Sequence, residues 1–201
     1  SMGLLPIALV LATIVAVILG MGMPTTASYI ICATVIAPGL VEMGVAALAA
    51  HLFVLYFANM SNITPPVALA AYAASGIARA NPLSVGVKAF KLGLAGFLVP
   101  FAWVYGPQLI MDGEPLSIIY AAVTALVGVL ALGASLQGFV GGTTLGWISR
   151  LFIAFAALLL VFPDVISDLV ALILIVFLAI VIAWRKRRAS ANSEAVSGLE
   201  R

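Results

Sequence analysis

Charge is what this 201-residue chain has least of: Lys, Arg, Asp and Glu make up 8% of it, against about a quarter in an ordinary soluble domain. With 65% hydrophobic residues and a mean hydropathy of +1.28, that scarcity excludes water as the main solvent. One cysteine, Cys32, leaves no intrachain disulfide to form, and its apolar setting reads as a packed thiol. There is one histidine, His51, with no acidic residue a helical turn away, so a packed or hydrogen-bonded helix residue is expected rather than a proton shuttle. No Ser-His-Asp, Cys-His or metal-ligand spacing occurs, which speaks against an enzyme. The glycine-rich stretch 138–146 lacks the Gly-Lys-Ser/Thr ending that grips phosphate and reads as a loop. Nothing points to nucleic acid either. The net charge of +2 comes mainly from Arg185, Lys186, Arg187 and Arg188, a run that directly follows an apolar segment and so reads as a membrane topology signal.

What the chain does have is apolar runs with breakers between them. A spanning helix needs roughly 20 apolar residues, and the pattern predicts helices over 4–19, 26–37, 46–58, 67–78, 92–111, 116–136, 147–162 and 165–184. The expected class is therefore all-α, a polytopic helical membrane protein in a lipid bilayer. A Pro-containing stretch over 81–90, bearing Lys88 and followed by Lys91, suits a short helix along the membrane surface. Small residues over 70–80 and 92–96 read as close helix-packing surfaces. The tail 189–201 is polar and expected to be disordered. No basic residue precedes 4–19, so this is no secretory signal, and Ser1 is expected to begin inside a longer protein.

Lys and Arg in short loops favour the cytoplasm. With 185–188 inside, walking back across the expected helices puts Arg150 inside, the Met111-Asp112-Gly113-Glu114-Pro115 loop outside, and Arg79, Lys88 and Lys91 inside. Asp112, Glu114 and Asp164 fall on the outer side, with Asp168 near it. The stretch 46–78 then crosses once, from an outer loop holding Glu42 to Arg79, and is interrupted halfway.

That interruption is Asn59-Met60-Ser61-Asn62-Ile63-Thr64-Pro65-Pro66, polar side chains and prolines between two apolar half-helices. Pro65 has no N–H for the carbonyl of Ser61, and Pro66 none for that of Asn62. Each proline also moves the residue before it out of the helical region. Thr64 is expected to cap the second half-helix, with Pro65 at its first position. A freed carbonyl in hydrocarbon costs several kcal/mol, so a break is tolerated only where protein, water or an ion supplies partners. Bare carbonyls joined by the oxygens of Ser61, Asn62 and Thr64 suit a hard cation, and without a carboxylate Na⁺ fits better than Mg²⁺ or Ca²⁺.

Gly20-Met21-Gly22-Met23-Pro24-Thr25-Thr26 is a second oxygen-rich turn. Pro24 removes the donor for the Gly20 carbonyl, the glycines allow unusual backbone angles, and Thr25 or Thr26 can cap the next helix. Its flanking helices form a re-entrant hairpin, the favoured reading, or a single broken crossing. One such break also serves packing alone. Two, both set among hydroxyl and amide residues, follow the construction of secondary transporters, where helix N-termini face anions and carbonyl ends face cations.

At these breaks the sequence resembles the large membrane component of tripartite ATP-independent periplasmic (TRAP) transporters, in the form whose small and large membrane subunits are fused. The residues that carry the resemblance are Leu19-Gly20-Met21-Gly22-Met23-Pro24-Thr25-Thr26-Ala27, Ala49-Ala50-His51-Leu52-Phe53, Ser61-Asn62-Ile63-Thr64-Pro65-Pro66-Val67-Ala68 and Lys91-Leu92-Gly93-Leu94-Ala95-Gly96-Phe97-Leu98-Val99-Pro100. It implies, over 1–111, the second inverted repeat of an elevator-type transporter with a re-entrant hairpin and a broken helix. Beyond that it implies a C-terminal extension of spanning helices over 112–188 and a cytoplasmic tail over 189–201.

The resemblance also implies Na⁺ as coupling ion, an organic carboxylate substrate delivered by a periplasmic substrate-binding protein of the TAXI type, and a bacterial or archaeal cytoplasmic (inner) membrane. Carried over to this chain, its Na⁺ sites fall on Gly20, Gly22, Thr25, Asn62 and Thr64, and Ser61 joins them from its chemistry. Thr26, Asn59, Pro65 and Pro66 are the candidate substrate contacts at the same breaks. The family's large subunit carries two repeats and only the second is visible here. The remaining permease portion and a small membrane subunit are therefore expected partners. Two other readings stay open on the residues alone: a proton-coupled carrier or channel segment in which His51 titrates, and a non-transporting membrane scaffold.

Overall fold

The structure, a computed structural model, describes residues 2–140, 143–144, 146–161 and 171. Apart from Ala171, the helix expected over 165–184 lies outside the described residues, as do Asp164, Asp168, the basic run 185–188 and the tail.

Helices α1 (Leu5–Gly20) and α2 (Thr25–Val35) are joined by the turn 21–24. Gly22 sits there at φ +78°, in the left-handed region that a Cβ penalises. Pro24 is extended, at φ −60° and ψ 149°, and is itself the N-cap of α2. Neither Thr25 nor Thr26 caps that helix, because the proline holds the flanking position and the threonines already lie inside the first turn. The two helices run antiparallel: Gly20 lies against Ser28, and the Cys32 thiol donates to the Ala16 carbonyl at 3.7 Å.

A short α3 (Ala37–Glu42) turns the chain into α4 (Ala47–Met60), which packs on both α1 and α2. Ala49, Ala50, Phe53, Val54, Phe57 and Ala58 are buried, a stripe at helical spacing that faces the hairpin. Phe53 and Phe57 meet edge to face with centroids 4.8 Å apart, and Ala12, Ala16 and Gly20 on α1 leave room for that close approach.

After α4 the chain makes a 3₁₀ turn, Ser61–Ile63, and only resumes a regular helix at α5 (Leu69–Ala78). Thr64 is not its cap. With a proline after Thr64 and another after Pro65, both residues are held out of the helical region; Thr64 is extended at ψ 119°. The restart falls instead beyond the prolines, behind Ala68 at φ 36° and ψ 50°.

Asn81 opens α6 (Pro82–Gly93) by accepting the Ser84 N–H on its Oδ1 at 3.1 Å. The stretch expected as a separate surface helix proves continuous with the next one: α6 passes through a 3₁₀ segment, Leu94–Leu98, into α7 (Val99–Tyr105). Pro100, lacking an N–H for the Gly96 carbonyl, tightens the helix without ending it. It ends at Gly106 and Pro107, short of the expected 111, and a 3₁₀ turn Pro107–Ile110 comes next. Close packing over 92–96 is seen, with Gly93 against Ile63 and Gly96 against the Tyr56 hydroxyl. On α5 only Ala71 and Ser75 are buried.

The 24-residue helix Pro82–Tyr105 and the 23-residue α8 (Pro115–Gln137) are long and apolar enough to cross a membrane. At about 1.5 Å per residue α8 extends about 34 Å, close to the ~30 Å of a hydrocarbon core. The stretch read as a loop contains a two-residue antiparallel ladder, Phe139–Val140 with Thr143–Thr144. Beyond it α9 (Trp147–Val161) packs back on α8. Arg150 fastens the pair: its Nε donates to the Ser135 carbonyl at 2.8 Å and its Nη2 to that of Leu136 at 2.6 Å. Those are carbonyls of the last turn of α8, which have no partner within the helix.

Candidate functional site

The two interruptions meet at Gly20. A Cβ on Gly20 would lie 2.6 Å from the carbonyl oxygen of Ala58 and 2.7 Å from each of the hydroxyl oxygens of Ser28 and Ser61. No larger residue fits without moving backbone. The Ser61 hydroxyl donates to the Ala58 carbonyl at 2.6 Å, and the Ser28 hydroxyl reaches the same carbonyl at 3.4 Å. Ser28 is 0% and Ser61 1% exposed. One carbonyl and two hydroxyls, from α2, α4 and the turn after it, thus gather around one stretch of backbone, and all are neutral. A second contact lies nearby, since Val67 Cγ1 stands 3.8 Å from where a Cβ on Gly22 would be.

The broken turn supplies its own partners, as a break in hydrocarbon requires. The Thr64 hydroxyl donates to the Met60 carbonyl at 2.7 Å, and the Thr64 N–H to that of Ser61 at 3.2 Å. Asn62 Nδ2 donates to the Asn59 carbonyl at 3.2 Å. The Pro66 carbonyl accepts the Tyr72 hydroxyl at 2.6 Å. At the hairpin, the Met23 N–H reaches the Gly20 carbonyl at 3.4 Å, filling the place that Pro24 leaves empty.

Of the expected residues, Gly20 and Ser61 are in contact. Gly22, Thr25 and Thr26 are exposed at and just beyond the hairpin tip, and Asn62 and Thr64 are half-buried in the broken turn. Pro65 is half-buried and Pro66 exposed. Asn59 stands apart. Its Nδ2 donates to the Leu55 carbonyl at 2.9 Å, and it borders a separate groove of about 270 Å³ with Tyr56, Met60, Ile63 and Trp103. His51 is exposed, and its Nδ1 lies 3.0 Å from the Tyr29 hydroxyl.

Sequence reasoning missed Ser28 and the Ala58 carbonyl. Ser28 was detectable as the residue one turn before Cys32 on the same face of α2; both are buried. The Ala58 oxygen is backbone, and no residue type announces it.

Neither the comparison with curated proteins nor that with solved structures gives a match. Residues 1–112 do match one family, described as Tripartite ATP-independent periplasmic transporter, DctM component. The matched stretch is more than half of the chain and holds both interruptions together with the contact between them. On that match the chain belongs to the DctM family, the large membrane component of TRAP transporters.

Proposed function

We propose that this chain is part of the membrane permease of a Na⁺-coupled carboxylate symporter, with Na⁺ taken up where α1 ends against the break after α4. The observation that carries the reading is the approach of Gly20 to the Ala58 carbonyl and the Ser28 and Ser61 hydroxyls. These oxygens are neutral and buried, a set suited to a monovalent cation, whereas Mg²⁺ and Ca²⁺ recruit carboxylates. Hydroxyls rotate and carry two acceptor lone pairs each, so Ser28 and Ser61 can turn from Ala58 toward an ion. Gly22, Thr25, Asn62 and Thr64 lie along the hairpin tip and the broken turn and complete the set. Thr26, Pro65 and Pro66 are left to the substrate, while Asn59 faces its own groove, and the N-terminus of α2 offers its positive dipole end to a carboxylate.

In this reading Na⁺ ties the hairpin tip to the broken turn and orders the surface that the anion meets. The loaded unit then moves as an elevator, as the second of two inverted repeats. At 16 and 11 residues, α1 and α2 fall short of the roughly 20 needed to span, which supports a re-entrant hairpin. Exposed Ile14 and Ile18 on α1 and Ile77 on α5 fit lipid, the remaining permease portion and a small membrane subunit. A periplasmic binding protein, of the TAXI type, supplies the carboxylate. Lys88 and Lys91 share a cleft with Leu136 and Gln137 at one end of α8, Arg150 bonds there too, and Asp112 and Glu114 adjoin the other end. Basic residues at one end of α8 and acidic ones at the other support reading the basic end as cytoplasmic, in keeping with a permease of the cytoplasmic membrane whose C-terminus is read from the sequence as inside. Carboxylate uptake into proteoliposomes holding the assembled permease should require a Na⁺ gradient; equal uptake with K⁺ alone overturns the proposal.

A further inference from the structure

We propose that the cleft between α6 and the C-terminal end of α8 binds the phosphodiester headgroup of an anionic phospholipid. The cleft, of about 410 Å³, is lined by Lys88, Lys91, Leu92, Leu136 and Gln137. The two lysines also border a neighbouring cleft of about 460 Å³ with Asn81 and Ser84. They stand one turn apart on α6 and so share one face of the helix. Among the described residues neither cleft has a carboxylate in its lining, and Asp112 and Glu114 lie at the far end of α8.

The C-terminal end of α8 is not the partner these lysines serve. A helix C-terminus attracts cations, but here Arg150 already donates to the Ser135 and Leu136 carbonyls. Two positive charges are thus left facing an open cleft with an amide, Gln137, beside them. An anion with several acceptor oxygens matches that set.

The apolar surroundings select a lipid over a soluble phosphate. Leu83 is 59% and Leu92 60% exposed beside the lysines, and Leu136 lies on the opposite wall. Acyl chains would cover these side chains, while free phosphate gains nothing from them. The cleft also sits at the end of a helix long enough to cross the hydrocarbon, the depth at which headgroups lie.

The test is native mass spectrometry of the detergent-purified full chain, offered phosphatidylglycerol, phosphatidylcholine or inorganic phosphate in turn. Wild type should retain phosphatidylglycerol over phosphatidylcholine. The Lys88→Ala/Lys91→Ala variant should retain it roughly thirtyfold less, and Lys88→Arg/Lys91→Arg should keep it. If the double alanine variant fails to fold, Lys88→Gln should show a smaller loss with an unchanged circular dichroism spectrum. Equal retention of phosphatidylcholine, undiminished retention in the alanine or glutamine variant, or displacement by an equal concentration of inorganic phosphate overturns the proposal.

Discussion

The hydroxyl oxygen of Ser61 lies 2.7 Å from the point that a Cβ on Gly20 would occupy, so the end of α1 and the first residue past α4 touch with no side chain between them. The contact joins two places where the sequence breaks its helices, and it sets several expectations.

Gly20→Ala should destabilise the protein by about 1–3 kcal/mol, the usual result of overpacking. The nearest obstacle is the Ala58 carbonyl at 2.6 Å, which is backbone and cannot swing aside. Gly22→Ala meets only Val67, at 3.8 Å. Its penalty comes from the left-handed backbone alone, roughly 1–2 kcal/mol. Thermal unfolding in detergent checks both, and a Gly20→Ala protein that melts with wild type contradicts the close contact.

Ser61→Ala removes a buried 2.6 Å hydrogen bond to Ala58, and Ser28→Ala one of 3.4 Å to the same oxygen. A neutral hydrogen bond contributes about 1 kcal/mol net, and the shorter bond should account for more of it. Ser61→Ala should therefore melt lower than Ser28→Ala. Na⁺ held at this contact should also raise the melting temperature of the wild type in NaCl over KCl, and both variants should lose part of that difference. Full retention of that difference counts against the two hydroxyls as ion partners.

Thr64→Val keeps the shape of the side chain but removes the hydroxyl that bonds the Met60 carbonyl at 2.7 Å. The broken turn loosens, and the Na⁺ concentration for half-maximal uptake should rise several-fold. An unchanged Na⁺ dependence in proteoliposomes separates Thr64 from coupling.

Arg150→Ala leaves the Ser135 and Leu136 carbonyls without their charged donor. The expected loss is about 1.5–3 kcal/mol per bond at most. Arg150→Lys should restore only part of it, because an ammonium cannot present the planar fork that reaches two carbonyls at once. A lysine variant as stable as wild type argues that charge alone holds α8 to α9.

His51→Gln bears on the proton-coupled alternative. His51 is exposed and its Nδ1 pairs with the Tyr29 hydroxyl, more than two turns before the end of α4 at Met60, so uptake and its pH profile should survive the change. A profile that flattens in the variant favours proton coupling.

Much of the architecture was legible because lipid leaves the backbone few options. The apolar runs that became α1, α4, α8 and α9 could be read to within a few residues. Errors gathered at prolines. Pro65 and Pro66 delayed the restart of the helix to Leu69, and Pro24 took the cap that Thr25 or Thr26 was expected to fill. The other boundary that failed, between 90 and 92, has no proline, and there α6 runs on into α7 as one helix. Gly20 and Ser61, which meet in the structure, stood out in the sequence because glycine and hydroxyls at a break are unusual in hydrocarbon. Asn59 has the same chemistry but faces its own groove, a matter of helical phase near a break that spacing does not fix. Ala58 contributes a backbone oxygen, which side-chain identity cannot reveal.

Equilibrium binding of radioactive sodium to the purified, assembled permease tests the central claim most directly. Wild type should bind it saturably, with no competition from equal K⁺, and Gly20→Ala and Ser61→Ala should weaken binding by about tenfold, a change of roughly 1.4 kcal/mol. Binding of the same strength in both folded variants would contradict Na⁺ being held where Gly20 meets Ser61.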